Sequence, residues 1–184
     1  MRWSDIICEG RDAPLYHATD AMRAANILAL NRMKAATGSS QAHVNGVSLT
    51  RDRTFAHHWW QADWANTGRV VFVLDQARMV QDGLKLQPER HENVKRYGGD
   101  QSEEFLVGPM NDVDRYLVAI EITRDTYEDL KTLDARDIGR RGLGMEQPGS
   151  ARVKAMLRSP KLRVIGAKER SRDMPSKAMP RGDR

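Results

Sequence analysis

Three short stretches of the sequence place polar side chains at the ends of apolar, strand-like segments. His17 ends "LYH", Ser48 and Thr50 alternate with apolar residues in "GVSLT", and Glu104 directly precedes "FLV". An imidazole can give or take a proton near neutral pH, a carboxylate can act as a general acid or base, and hydroxyls can orient a substrate. Each position also has an ordinary structural explanation: a hydrogen-bonded core histidine, an outward-facing strand residue, or an acidic start of a strand.

The elements that must position these residues follow an α+β pattern. The strand "APLYH" leads into a helix from about Ala21 to Ala29, capped by Thr19 or Asp20. After "GVSLT", a helix is expected to start beyond Asp52. Later elements are the strands "RVVFVLDQ", "GLKLQP", "EEFLVG", "DRYLVAIEIT" and "KLRVIGAK", with the basic helix "ARVKAMLRS" before the last of them. Because helices come early and strands late, the order favours an α+β domain over a doubly wound parallel sheet.

Length and composition limit the domain count and the cellular compartment. A chain of 184 residues, 40% of them hydrophobic and 30% charged, fits one domain with a modest core. We predict that this domain spans residues 1–168 and that residues 169–184 form a basic, disordered tail. No apolar run approaches the roughly 20 residues of a membrane span, and the N-terminus lacks a secretory pattern. The single cysteine excludes an internal disulfide, so we expect a cytoplasmic protein without a membrane partner.

The positive charge of the chain is concentrated toward its C-terminus. The formal net charge is +5, and residues 151–184 contain eleven Lys and Arg against three Asp and Glu. A region of this kind can contact nucleic acid or another anionic partner, and it can equally be a solvated tail. No metal site is expected, because His57 and His58 are adjacent rather than one helical turn apart.

In order and spacing, the three polar stretches resemble the ADP-ribosyltransferase fold family, which includes poly-ADP-ribose polymerase-like and diphtheria-toxin-like enzymes. That family opens with a strand like "LYHGT" and a helix ending in "IL", and this chain has "LYHAT" and "AANIL". The second motif is a strand that begins with glycine, here "GVSLTRDRTFA", and the third is a glutamate leading an apolar strand, here "EEFLVG". The resemblance covers roughly Leu15 to Ile122. It implies a split mixed β-sheet with helices packed on its faces.

The same resemblance implies an NAD-dependent mono-ADP-ribosyltransferase that modifies a macromolecular acceptor, either a protein or a nucleic acid. Breaking the glycosidic bond of NAD creates an oxocarbenium-like ribose, whose charge a carboxylate can stabilise. By motif position Glu104 would be that catalytic carboxylate, and His17 would donate a hydrogen bond to the adenosine-side ribose. NAD itself would be the substrate, with no metal required. The further NAD-binding residues implied are Ala18, Thr19, Ser48, Thr50 and Tyr97.

Two positions depart from the patterns of the family. Ser48 stands where the polymerase-like branch has a tyrosine that stacks on nicotinamide, while the histidine of the first motif is combined here with "SLT". The stacking residue is therefore open between Tyr97, Phe55 and Trp59. The register of the glutamate is open as well, because "EE" offers Glu103 beside Glu104, and we favour Glu104.

Two other functions fit the same residues. A tRNA 2′-phosphotransferase shares the fold and needs basic residues around a phosphate, for which Arg23, Arg51 and Arg53 are available. A non-enzymatic nucleic-acid-binding or assembly protein could retain the fold and rely on the basic C-terminal region. Nicotinamide release separates the transferase from the binding protein. Small size, mixed motifs and the basic tail also fit a phage or mobile-element effector, which would act in the host cytoplasm.

Overall fold

The computed structural model describes the chain over residues 13–35, 46–58, 69–88, 103–132 and 148–166. Over these ranges the backbone forms nine strands and six helices. The strands are β1 (Leu15–Asp20), β2 (Arg32–Met33), β3 (Gly46–Thr50), β4 (Arg69–Leu74), β5 (Leu86–Pro88), β6 (Glu103–Val107), β7 (Met110–Asn111), β8 (Leu117–Thr123) and β9 (Leu162–Ile165). The helices are α1 (Ala21–Leu30), α2 (Arg53–His58), α3 (Gln76–Gln81), α4 (Val113–Tyr116), α5 (Arg124–Thr132) and α6 (Pro148–Leu157).

Seven of these strands form one mixed sheet in the order β5-β6-β3-β1-β4-β8-β9, and β2 pairs with β7 separately. Neighbouring strands of the large sheet are antiparallel, apart from the parallel pair β8 and β9. Strand β4 lies near the centre because its "RVVFVL" run can be buried on both faces. The α+β class and the mixed sheet expected from the sequence are confirmed.

Helices cover both faces of the large sheet. On one face, Leu15, Phe72 and Ile120 share a core cluster with residues of α1 and α6, among them Val153. Glu121 follows Ile120 in β8, so strand alternation turns its side chain to the opposite face. There it contacts side chains of α2. The face below α1 and α6 is therefore apolar, and the face below α2 carries buried charge.

Helix α1 is fixed at both ends by side-chain and backbone chemistry. Asp20 is the N-cap, since its carboxylate accepts a hydrogen bond of 2.8 Å from the backbone N–H of Arg23. Asn31 ends the helix in the left-handed region at φ 50°, and its N–H bonds carbonyls of the last turn. Of the two caps predicted from the sequence, Asp20 rather than Thr19 therefore starts the helix. This junction holds the end of β1 rigidly against α1.

The sheet is split between β1 and β3. Strand β1 pairs with β4 along all of its length, from Leu15 to Asp20, but it is in register with β3 at the single pair Tyr16 and Thr50. The sheet thus consists of two parts, β5-β6-β3 and β1-β4-β8-β9, that meet at one end and diverge beyond it.

Among the helices that the structure describes, none has the length and apolarity needed to cross a membrane.

Candidate active site

A cleft of about 620 Å³ opens where β1 and β3 diverge. Its floor comes from β1 and β3, and its walls come from α1, β2 and α6. The volume falls in the range of about 300–1,000 Å³ that small-molecule and cofactor sites occupy. Five of the residues predicted from the sequence to bind NAD line this one cleft: His17, Ala18, Thr19, Ser48 and Thr50.

His17 bridges the gap between the two diverging strands. Its Nδ1 lies 2.8 Å from the carbonyl oxygen of Ser48, and its ring stacks on Phe72 at a centroid distance of 6.4 Å. Burial lowers the pKa of His17 below 6.5, and the bond to Ser48 opposes that shift only in part. The ring is therefore neutral at pH 7, with its proton on Nδ1, which must donate to the carbonyl.

This tautomer changes the role expected of His17. A neutral imidazole with its proton on Nδ1 presents Nε2 as an acceptor rather than a donor. The resemblance implies a histidine that donates to the ribose. The structure therefore offers an acceptor at Nε2, where the resemblance implies a donor.

Two threonine hydroxyls near the floor are buried. Thr50 is 2% exposed, and its Oγ1 accepts a hydrogen bond of 3.1 Å from the backbone N–H of Asp52. Thr19 is 8% exposed. Buried hydroxyls that keep fixed partners hold their orientation. The Thr50 hydroxyl of the floor is therefore preorganised rather than mobile.

One wall of the cleft is strongly basic. The basic wall consists of Arg23, Arg32, Lys34 and Arg152, and no Asp or Glu is among the described residues that line the cleft. Asp20 lies behind this wall and pairs with Arg23 at 3.2 Å. The Arg152 guanidinium donates to Oδ1 of Asn26 at 2.7 Å. The apolar side chains beside the wall are Ile27, Leu30 and Met33.

Glu104 lies outside the lining of this cleft, as far as the structure describes it. Its carboxylate pairs with Nε of Arg51, whose Nη1 donates to Oε1 of Gln76 at 2.9 Å. In the ladder between β3 and β6, Glu104 stands opposite Leu49, and the backbone of Glu103 stands opposite Thr50. The structure therefore places the favoured carboxylate next to the β3 end of the cleft, in a cluster with two polar partners.

A second charged cluster was not predicted from the sequence. Glu121 is 4% exposed and accepts bonds from Arg53 at 2.9 and 3.1 Å, and its Oε2 lies 2.9 Å from Nε2 of His57. Burial alone raises the pKa of Glu121, but the bonds from His57 and Arg53 outweigh it and leave the pKa below its ordinary value. A carboxylate inside the apolar run "LVAIEIT" requires a cation, and Arg53 and His57 are one helical turn apart. That spacing, together with the carboxylate in an apolar strand, is the sequence feature that could have predicted this cluster.

Tyr16 connects the cleft with this second cluster. It lines the cleft, and its pKa is raised by burial and by the negative charge of Glu121, against a smaller opposing effect of Arg53. The tyrosine is therefore a neutral hydroxyl at pH 7. It extends the polar floor toward the Glu121 cluster.

Three aromatic residues were considered as stacking partners for nicotinamide. Tyr97 and Trp59 lie outside the described residues. Phe55 lies on α2 and is not among the residues that line the cleft. Within the described ranges, no group of three or more His, Cys, Asp or Glu is placed to hold a metal ion.

The phosphate-binding set considered for a 2′-phosphotransferase does not assemble in the cleft. Arg23 lines it, but Arg51 and Arg53 do not. Arg51 is engaged by Glu104 and Arg53 by Glu121. The other cations that reach the cleft are Arg32 on β2, Lys34 directly after it and Arg152 on α6.

Comparisons with known proteins give distant structural likenesses. The structure of Thermus sp. 2.9 DarT in complex with NAD+ is similar at a TM-score of 0.48 and 12% identity, over 86% of this chain and 97% of that one. The carba-NAD+ complex gives 0.49 and 10%, over 85% and 97%. The complex with ADP-ribosylated ssDNA gives 0.47 and 10%, over 85% and 95%. These likenesses assign no residue of the cleft. No family model matches the sequence, and a search of curated proteins found no match.

Proposed function

We propose that this chain is an NAD-dependent mono-ADP-ribosyltransferase and that NAD is the substrate held in the cleft. The observation that carries the proposal is the meeting of the first two motifs. His17 Nδ1 lies 2.8 Å from the Ser48 carbonyl at the point where the sheet splits. Residues 31 positions apart in sequence thereby form one floor. A split sheet with a histidine at its opening is the arrangement that the motif resemblance implies.

The cleft suits a dinucleotide in volume and in chemistry. Its volume of about 620 Å³ is typical of a cofactor site. Apolar side chains at Ile27, Leu30 and Met33 offer a surface for a base, and the basic wall offers partners for phosphate oxygens. Hydroxyls and an imidazole at the floor are suited to ribose. The diphosphate, the riboses and one base of NAD thus each have a matching region.

The residues of the floor have separate roles in this proposal. His17 Nε2 accepts a hydrogen bond from a ribose hydroxyl, and the backbone at Ala18 holds the carboxamide of nicotinamide. Ser48 and Thr50 brace the other ribose. Because the imidazole and Thr50 are held by the protein before substrate arrives, little reorganisation is needed on binding.

Glu104 is the proposed catalytic carboxylate. The C1′–N bond to nicotinamide breaks with its electron pair leaving on nicotinamide, and the acceptor's nucleophilic atom bonds to C1′ and loses a proton. A carboxylate stabilises the positive charge that develops on the ribose. Arg51 and Gln76 fix the orientation of the Glu104 side chain through a chain of hydrogen bonds.

The acceptor in this proposal is a macromolecule, either a protein or a nucleic acid, in the cytoplasm of the cell or of a phage host. The net positive charge of residues 151–184 supports a polyanionic acceptor in particular. Labelled NAD and host lysate, treated separately with nuclease or protease, would identify the class to which the label is attached.

Nicotinamide release from NAD is the test of the proposal. We expect the wild type to release nicotinamide in the presence of lysate, and Glu104→Gln to lose about a hundredfold or more in rate. Glu103→Gln, measured in parallel, decides between the two registers. Glu128→Gln is the matched control, because Glu128 is exposed on α5 and is not among the described residues that line the cleft. If the wild type releases no nicotinamide and does not bind NAD, the proposal is wrong.

A further inference from the structure

Four arginine side chains of the described residues differ in the kind of partner that holds them. Arg51, Arg53 and Arg115 pair with the carboxylates of Glu104, Glu121 and Asp82, respectively. Arg152 instead donates to the amide oxygen of Asn26 at 2.7 Å. An amide orients a guanidinium without cancelling its charge. Arg152 therefore keeps its full positive charge in the cleft.

Packing fixes the place of Arg152. It lies on α6, whose neighbouring side chains Val153 and Met156 are 1% and 2% exposed in the core cluster. Helix α6 packs against α1, which carries Asn26. The bond to Asn26 uses one of the five N–H groups of the guanidinium fork. The other N–H groups remain for a ligand in the cleft that Arg152 lines.

Two further cations share this wall. Arg32 lies on β2 and Lys34 follows it directly, and both are exposed, whereas Met33 between them is 1% exposed. Both line the cleft. The pairing of β2 with β7 holds this segment in place. Arg32, Lys34 and Arg152 therefore bring three positive charges to a cleft whose described lining contains no carboxylate.

We infer that Arg152, together with Arg32 and Lys34, forms a diphosphate subsite, called here the anion subsite, at which Arg152 provides the directional contact. A guanidinium binds phosphate oxygens through two parallel N–H groups, which an ammonium cannot do. The diphosphate of a dinucleotide carries two negative charges, which the three positive charges of Arg32, Lys34 and Arg152 can balance. The apolar side chains of Ile27 and Leu30 beside the wall would receive the base of the same nucleotide.

This inference rests on the proposed function in taking the diphosphate to be that of a dinucleotide. It goes beyond the motif resemblance, because residues 148–166 lie after its end at Ile122. The anion subsite holds the substrate in both the ground state and the transition state. Removing Arg152 should therefore raise KM for NAD and leave kcat within about twofold, as expected for loss of uniform binding.

Direct binding of phosphate compounds tests the inference without any turnover. The probes are ADP-ribose and inorganic pyrophosphate, measured by calorimetry on the full chain, with inorganic sulfate as a comparison anion. We expect Arg152→Ala to weaken the binding of both phosphate probes by about tenfold or more. Arg152→Lys should restore only part of the loss, because a point charge replaces the fork. Lys154→Ala is the matched control on the same helix, exposed and absent from the cleft lining, and should bind like the wild type.

Asn26→Ala provides a second variant that keeps the charge of Arg152 but removes its orienting partner. It should weaken ADP-ribose binding less than Arg152→Ala does, by roughly threefold, since the fork becomes mobile. Circular dichroism of each variant, compared with the wild type, identifies any loss of folding. If Arg152→Ala fails to fold, the binding of ADP-ribose by Arg152→Lys is the test instead. Lysine keeps the positive charge and a side chain of similar length, so this variant is expected to fold.

The outcomes for the anion subsite and for the transferase reaction are separable. Equal affinity of wild type and Arg152→Ala for ADP-ribose and pyrophosphate overturns the inference, and so does a wild type that binds neither probe more tightly than sulfate. Tight pyrophosphate binding that depends on Arg152, with no nicotinamide release, supports the subsite and refutes the transferase. Nicotinamide release with the same KM for NAD in wild type and Arg152→Ala supports the transferase and overturns the subsite.

Discussion

Arg51 and Arg53 on one side of the split sheet have partners of a different kind from the partner of Arg152 on the other side. At the junction of β3 and α2, Arg51 and Arg53 are held by Glu104 and Glu121, so the charge is balanced inside the protein. Across the cleft, Arg152 is held by the neutral amide of Asn26. The same side chain therefore serves as a structural clamp in one region and as an open anion contact in the other.

The cost of burial explains this difference. Glu121 lies on β8 with its side chain 5% exposed, where an uncompensated carboxylate would be strongly destabilising. Arg53 and His57 supply its partners from α2. The basic wall borders a cleft, where water or a ligand can balance its charge. The buried pairing of Glu121 therefore indicates a role in folding, and the amide-held Arg152 beside the cleft indicates a role in binding.

Glu121→Ala is expected to give the largest effect and to test the structural side of this comparison. The change leaves Arg53 and His57 without their carboxylate and should lower the free energy of unfolding by about 3 kcal/mol. The value lies at the low end for a broken buried pair because the Arg53 side chain is 40% exposed and water can reach it. Urea denaturation followed by fluorescence measures the change.

Glu128→Ala is the control for that experiment. Glu128 pairs with Lys131 at 3.0 Å, but both side chains are about half exposed, so the pair contributes little to stability. A loss as large in Glu128→Ala as in Glu121→Ala would contradict the distinction between the buried clamp and surface pairs.

Much of the sheet could be predicted from the sequence because its signals are local. The run "RVVFVL" is apolar and β-branched and forms β4, and Asp20 before an alanine-rich stretch caps α1. The glycine that opens the second motif also has a physical reason. A Cβ at Gly46 would lie 2.5 Å from the carbonyl oxygen of Leu106 on β6. A side chain at this position would therefore push β3 and β6 apart.

Other parts of the fold depend on contacts that no local pattern reveals. The sequence predicts one strand over "DRYLVAIEIT", but Val113–Tyr116 forms the short helix α4 before β8 begins at Leu117. Helix α3 was not predicted, although Asp75 caps it in the same way that Asp20 caps α1. The strands β2 and β7 have two residues each, and they are defined by their pairing rather than by their composition.

The candidate site likewise contains residues that local motifs predict and residues that only long-range contacts bring together. The motifs bring His17, Ala18, Thr19, Ser48 and Thr50 to one cleft, since they lie on two strands that flank the split. The roles of Glu104 and Tyr97 stay predictions. Arg152 was not foreseen, because it follows Asn26 by 126 positions and only the packing of α6 on α1 unites them. Long-range packing is the information that the sequence pattern lacks.

Salt should weaken ligand binding at the cleft arginines more than it weakens the buried pairing of Arg53. The expected effect is smaller than that of Glu121→Ala and larger than the pH dependence of the Glu121 clamp. Raising sodium chloride from about 0.1 to 1 M shortens the Debye length from about 10 to 3 Å and screens exposed charges. We expect ADP-ribose binding by the wild type to weaken by about tenfold, and binding by Arg152→Ala to weaken less. Calorimetry at several salt concentrations measures both slopes.

The buried clamp provides the internal reference for that measurement. Glu121 is buried beside its partners, so salt screens this cluster much less than it screens the cleft wall. The difference in unfolding free energy between wild type and Glu121→Ala should therefore change little over the same range of salt. If salt reduced the stability difference and the ADP-ribose affinity to the same degree, the charges of the Glu121 cluster and of the cleft wall would be equally open to screening. The comparison between the two regions would then be wrong.

The smallest expected effect is the pH dependence of the Glu121 clamp, measured as the difference in unfolding free energy between wild type and Glu121→Gln. The bonds from His57 and Arg53 hold the pKa of Glu121 below its ordinary value of 4.5. The unfolded chain therefore takes up this proton at a higher pH than the folded chain does, and stability rises with pH in that interval. The advantage of the wild type should be complete above pH 4.5 and should shrink as the pH falls through the pKa of the folded state. The other carboxylates are common to wild type and Glu121→Gln, so their contributions cancel in the difference. Arg152→Ala is the control: it changes no group that titrates in this pH range, so its unfolding free energy should depend on pH as that of the wild type does. A difference that grew as the pH fell would mean that Glu121 is protonated in the folded protein and is no clamp for Arg53.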